Sequence, residues 1–188
     1  MITPIKKLQA ALSSENLDAV LISSYANILY FTQFTGFGMH EREAFLLITQ
    51  KAQYLFTYGL FIEAAKKHIK DFTFVQITRE SPFSQTILDI VAREKIAKIG
   101  YEATDLSVAE FETITSKLAK KLFTPTIFIT KLRLIKTPQE IKNIKKACDI
   151  SSKAYAALLK NPKLTSLTEA QIATTIEYEM RMQGAQIA

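Results

Sequence analysis

One cysteine, five glycines, five prolines and two histidines among 188 residues leave little material for several kinds of chemistry. The single Cys148 cannot close an internal disulfide, and among helix-forming neighbours it reads as a small buried or half-buried hydrophobe. The sequence contains no Gly-rich phosphate loop of the Walker or dinucleotide type and no Gly-x-Ser-x-Gly nucleophile turn. His40 and His68 lie far apart, and no His-x-x-x-His, Cys-x-x-Cys or Asp-rich loop accompanies them, so no metal site is expected from these residues. His68, in the run Lys66-Lys67-His68-Ile69-Lys70, reads as a surface helix residue. No apolar run approaches the ~20 residues of a membrane span, and the opening MITPIKKLQA has no apolar stretch of signal-peptide type. The expectation is a soluble, cytoplasmic protein with no membrane partner.

What is present suits a packed core. Hydrophobic residues make up 48% of the chain, which argues against disorder, and the length accommodates one ordinary domain and a piece of a second. The net charge of +6 is local: residues 1–130 carry 14 basic and 13 acidic side chains, whereas 131–188 carry 10 and 5. The lysines from Lys117 to Lys146 are separated by apolar residues at helical spacing, with no alternating aromatics on which bases could stack. They read as a solvated helix face, and no nucleic-acid partner is expected.

Ser or Thr precedes Pro at Thr3-Pro4, Ser81-Pro82 and Thr137-Pro138, and each pair reads as a helix start. The hydroxyl accepts from a free first-turn amide, and proline at the first helical position loses no hydrogen bond. Thr137 with Glu140, Ser107 with Glu110 and Thr168 with Gln171 have capping-box spacing. Helices are expected at 4–15, 26–32, 60–69, 82–94, 107–121, 138–160 and 168–183. Strands are expected at 18–22, 44–49, 54–58, 72–78, 97–101 and 126–129, where β-branched and aromatic residues concentrate. Their alternation implies an α/β fold, a mixed sheet flanked by helices, and the short link between 44–49 and 54–58 implies an antiparallel hairpin.

From Lys131 onward no strand is evident. One amphipathic helix should align Ile141, Ile144, Cys148, Tyr155 and Leu158, and a second Ile172, Ile176 and Met180, ending near Gly184. Residues 1–130 therefore read as one domain, and 131–188 as a linker and two helices that open an incomplete second domain.

Three segments carry a resemblance. Asn27-Ile28-Leu29-Tyr30-Phe31-Thr32-Gln33-Phe34-Thr35-Gly36 is similar to the Asn-Ile-x-Tyr-Leu-Thr-Gly-Phe-x-Gly segment of the Xaa-Pro aminopeptidase, prolidase and creatinase family, with Gln33 standing where Gly is common. Leu132 through Ile141, continuing to Ala147, resembles the family's Arg-x-x-Lys-(Ser/Thr)-x-x-Glu-(Ile/Leu) junction between domains. Leu167 to Ala173, followed by Glu177, Met180 and Gly184-Ala185, is like the second helix of the catalytic "pita-bread" domain.

The resemblance implies a creatinase-type N-terminal domain of ribonuclease H-like fold, joined to the first two helices of a peptidase domain. It implies further that the whole protein hydrolyses peptide bonds preceding proline with two divalent ions, Mn, Co or Zn. The two Asp, one His and two Glu that hold those ions in the family lie downstream of Gly184, so this chain is expected to be truncated before the metal-binding core and inactive alone. Its expected partners are its own C-terminal catalytic domain, a second copy in a homodimer, and proline-containing peptides. In relatives that dimerise, the loop matching Gly36-Phe37-Gly38-Met39-His40-Glu41-Arg42 approaches the partner's active site. By that resemblance Phe37, His40 and Arg42 would line a substrate entrance, with Arg42 available to a peptide carboxylate. Arg133 and Lys136 read as charges flanking a linker. The alternatives are a non-catalytic peptide-binding or interaction module, as in the peptidase-like domain of a histone chaperone, and a creatinase-type amidinohydrolase.

Overall fold

Strand β1 (Ala19–Ile22) is buried at all four of its residues, and the first unit of the chain is arranged around it. The computed structural model describes residues 3–186 and divides into two compact units, one ending at Arg133 and the other beginning at Leu134. Strands β2 (Ala44–Thr49), β3 (Gln53–Tyr58), β4 (Thr73–Ile77), β5 (Ile99–Tyr101) and β6 (Phe123–Pro125) join β1 in one sheet, ordered β4-β3-β2-β1-β5-β6. β2 and β3 form the expected antiparallel hairpin, with Leu46 opposite Leu55. β2 also runs antiparallel to β1, while the β1–β5, β5–β6 and β3–β4 pairs are parallel. Five strands thus point one way and β2 alone points the other.

Alternate side chains go to opposite faces of a strand, and here both faces are covered. Val20, Ile22, Leu46, Ile48 and Leu55 face helices α1 (Pro4–Ser14), α2 (Tyr25–Thr32), α3 (Gly59–His68) and α6 (Phe128–Leu134), which supply Leu8, Leu12, Phe31, Ala65 and Phe128. Leu21, Phe45, Leu47 and Phe56 face α4 (Phe83–Arg93) and α5 (Val108–Thr115), which supply Ile87, Ile90 and Ile114. Each fully buried Leu or Ile contributes about 1.5–3 kcal/mol. Gly100 is held to a bare backbone by this packing: a Cβ there would stand 2.8 Å from Leu17 Cδ1 and 3.1 Å from Thr126 Cγ2.

The caps at Thr3, Ser107, Thr137 and Thr168 form as their spacing predicts, the last three as full capping boxes. Ser81 does not cap, because Pro82 itself occupies the N-cap position with extended backbone and α4 begins at Phe83. The expected strand at 126–129 is instead the entry to α6. Thr126 Oγ1 accepts from Phe128 N at 3.3 Å and turns the chain into a helix, so the sixth strand lies earlier, at Phe123–Pro125. The helix expected over 107–121 ends at Thr115, and a 3-10 turn follows at Lys120–Leu122.

The second unit contains α7 (Pro138–Leu159) and α8 (Glu169–Met182). The buried residues of α7 are Ile150, Ala154 and Leu158, spaced by four. Of the stripe expected through Ile141, Ile144, Cys148, Tyr155 and Leu158, only Leu158 is buried; the other four are exposed, and Cys148 is an exposed thiol rather than a buried hydrophobe, because it falls off the 150–154–158 line. Among the described residues no helix is long and apolar enough to cross a membrane.

Candidate functional site

In open α/β sheets, ligands sit outside the carboxyl ends of the parallel strands. Because β2 runs against its neighbours, the loop entering it lies at that same edge, beside the residues that leave β1 and β5. Residues 23–27, 36–43 and 102–110 meet there.

A buried carboxylate organises the meeting. Glu102, 7% exposed, follows β5 and accepts from the backbone N–H groups of Ser23 at 2.7 Å and Ser24 at 2.8 Å through Oε2. Ser24 is the N-cap of α2, so the carboxylate occupies the electropositive end of that helix. Its Oε1 accepts from Asn27 Nδ2. Asn27, 4% exposed, turns its Oδ1 to Arg133 Nη1 at 2.7 Å, and the Arg133 guanidinium lies 5.9 Å from the centre of the Tyr30 ring. Two motif segments singled out in the sequence thus touch. Ser23, 2% exposed, has a hydroxyl that meets no partner, alone in this among the buried side-chain polar atoms of the described residues.

Arg42 closes the other side. Its Nε and Nη2 bind Glu110 at 2.7 and 3.3 Å, Nη1 binds Asp105 Oδ2 at 2.7 Å and the Ser23 carbonyl, and Nη2 also reaches the Asp105 carbonyl at 3.2 Å. Those five bonds match the five donors of a guanidinium. Burial disfavours ionisation of Glu110, but its bonds from Arg42 and Ser107 outweigh that and hold its carboxyl below its ordinary value. Burial likewise opposes the charge on Arg42, and Glu110 and Asp105 override it, so its pKa moves up.

The three residues expected at a substrate entrance are placed differently from one another. Phe37 is 5% exposed and packs edge-on against Phe34 and Phe61, inside the core. Arg42 has no donor left for a peptide carboxylate. His40 is exposed, between exposed Met39 and Glu41. Gly38 N donates to Glu43 Oε2, which closes the loop on itself beneath that crown. Phe37 and Arg42 therefore fasten the loop from within, and Met39, His40 and Glu41 are what it presents.

Beside the loop, Arg42, Phe45, Tyr58, Phe83, Glu110 and Ile114 help line a cleft of about 400 Å³. Its two charged walls neutralise each other, and Phe45 stacked on Phe83 at 4.0 Å makes the floor apolar. Among the described residues no three His, Cys, Asp or Glu side chains converge where they could hold a metal, so these residues do not fit a two-metal hydrolytic centre. The sequence gives no sign of Glu102 or Asp105, and it marks Glu110 only as the capping partner of Ser107, not as a partner of Arg42. It had Asn27 and Arg133 in hand as motif residues, and only their contact was hidden.

A family profile described as the Creatinase/Prolidase N-terminal domain matches residues 4–135. An Xaa-Pro dipeptidase of Lactobacillus helveticus is 32% identical over 190 residues, covering 95% of this chain and 50% of its own length. Among solved structures, an Xaa-Pro dipeptidase from Bacillus anthracis superposes with a TM-score of 0.81 at 26% identity, over 98% of this chain and 50% of that one. An X-Pro aminopeptidase from Thermotoga maritima gives a TM-score of 0.80 at 28% identity, over 97% and 50%. The chain spans about half the length of the curated relatives it matches.

Proposed function

The chain belongs to the creatinase/prolidase N-terminal domain family, and from that membership we propose that it shapes the substrate entrance of an Xaa-Pro peptidase and takes part in its dimerisation. The whole protein hydrolyses peptide bonds preceding proline and uses two divalent ions, Mn, Co or Zn, at ligands outside the described residues. This chain contributes no group that touches the reacting atoms, and by itself it turns nothing over. The division of labour follows its two parts: residues 1–130 as the N-terminal domain, and 131–188 as the linker and first helices of the peptidase domain.

The observation that carries the reading is the construction of the loop at 36–43. Its inner groups, Phe37, Gly38, Arg42 and Glu43, are all engaged within the chain, so Met39, His40 and Glu41 are presented at the carboxyl edge of the sheet on a rigid support. A rigid, outward-facing crown suits contact with a second copy and with whatever enters that copy's site. The test is kinetic: in the whole enzyme, His40→Ala and Met39→Ala should change KM for Xaa-Pro peptides, differently for dipeptides and longer substrates, with kcat nearly constant. An unchanged KM across that series would remove the entrance role, and a whole protein without proline-directed cleavage would favour the non-catalytic interaction module instead.

A further inference from the structure

We propose that Glu102 is a positioning residue that couples the His40 loop to the point where the chain leaves its first unit. One unbroken path of hydrogen bonds joins them. It runs from Arg42 Nη1 to the Ser23 carbonyl, from Ser23 N at 2.7 Å to Glu102 Oε2, from Asn27 Nδ2 to Glu102 Oε1, and from Arg133 Nη1 at 2.7 Å to Asn27 Oδ1. Arg42 ends the loop, and Arg133 is the last residue of the first unit.

The chemistry makes the path directional. A carboxylate is an acceptor at both oxygens, so Asn27 must turn its NH₂ toward Glu102 and its carbonyl away. That carbonyl then meets Arg133, which can only donate. Neither end tolerates the flipped amide. Asn27 and Glu102 are both buried, so an unmatched group at either one keeps its desolvation cost with no bond to offset it. Loosening of one end should therefore be felt at the other, although Arg42 and Arg133 share no contact. Gln at position 102 is nearly isosteric yet reverses the logic. With its single oxygen kept on Ser23 and Ser24, its NH₂ faces Asn27, flips that amide, and turns a second donor toward Arg133.

Spatial continuity is not coupling, and only a measured response at both ends establishes it. Backbone amide exchange followed by mass spectrometry on wild type and Glu102→Gln is the experiment. Loss of one charge-assisted bond should speed exchange about tenfold in residues 38–42 and 130–136 together, with the hairpin at 53–58 unchanged. Asp18→Asn serves as the control. Asp18 is another carboxylate bonded to backbone, at 2.9 Å to Ala97 N and Lys98 N at the opposite end of the sheet, and its loss should leave both segments as in wild type. If Glu102→Gln does not fold, Arg133→Lys, at a half-exposed position, replaces it: exchange should quicken at 38–42, and Arg42→Lys should quicken it at 130–136. A response confined to the mutated end, a response at neither end, or an equal response to Asp18→Asn overturns the proposal. The inference stands whether or not the loop faces a substrate.

Discussion

Arg133 reaches back 106 residues to donate from Nη1 to Asn27 Oδ1 at 2.7 Å, while the other end of that same amide binds the buried carboxylate of Glu102. Asn27→Ala should therefore cost more than one ordinary hydrogen bond, because it strands an acceptor on Glu102 and a donor on Arg133. We expect a loss of about 2–3 kcal/mol in urea unfolding with an unchanged m-value, and a loss under 0.5 kcal/mol would mean that the two charged partners re-pair without it.

Ser23 stands between the same groups and behaves oppositely. Its backbone serves both Arg42 and Glu102, but its hydroxyl is buried and unmatched. Ser23→Ala removes only the unmatched atom, so stability should stay within about 0.5 kcal/mol of wild type or rise. A marked loss in thermal unfolding would show that the hydroxyl does have a partner in solution.

Gln33 ends α2 with a left-handed backbone, φ 56 and ψ 20, which costs a residue bearing a Cβ more than it costs glycine. Glycine is what the resembling family commonly carries there. Gln33→Gly should stabilise by about 0.5–1 kcal/mol, reduced somewhat by the lost bond from Gln33 Nε2 to the Tyr30 carbonyl. Chemical denaturation of the pair decides the sign.

Glu110 supplies the pH dependence. Its folded-state pKa lies below its ordinary value, so its contribution is fully present above the unfolded-state pKa and disappears as pH falls through the folded one. Glu110→Gln keeps the capping geometry with Ser107 but removes the charge facing Arg42. Wild type should exceed the variant in stability at neutral pH, and the gap should narrow steadily on acidification below the ordinary carboxylate range. A gap independent of pH would assign the ion pair no role.

The strands and caps were legible because their signals are local: Thr137 with Glu140 needs three residues of spacing, and the β2–β3 hairpin needs a short link. Thr126–Ile129 misled for the same reason. Its β-branched and aromatic run favours a strand by propensity, and a single Thr hydroxyl bonding Phe128 N turned it into a helix. Arg42 was legible only as a cation on a Gly-flanked loop. Its partners Asp105 and Glu110 lie 63 and 68 residues away, and no periodicity announces an ion pair at that range. For Cys148, helix spacing alone identifies a possible stripe but not which face of α7 finds cover.

The unequal chain separations of the β2–β3 and β1–β5 pairs predict an order of folding. Leu46 and Leu55 meet across a turn, whereas Ala19 finds Ile99 only after the whole intervening chain has been gathered. Loop-closure entropy delays the distant pairing, so the hairpin is expected in the folding nucleus and β5 is expected to dock late. Leu55→Ala should then chiefly retard refolding and Ile99→Ala chiefly hasten unfolding, a contrast that stopped-flow chevrons would display. A ribosome releasing this chain would expose an unmatched flank of β1 until residues near 101 had emerged, and that interval is when the nascent polypeptide is most open to pairing with a stray strand.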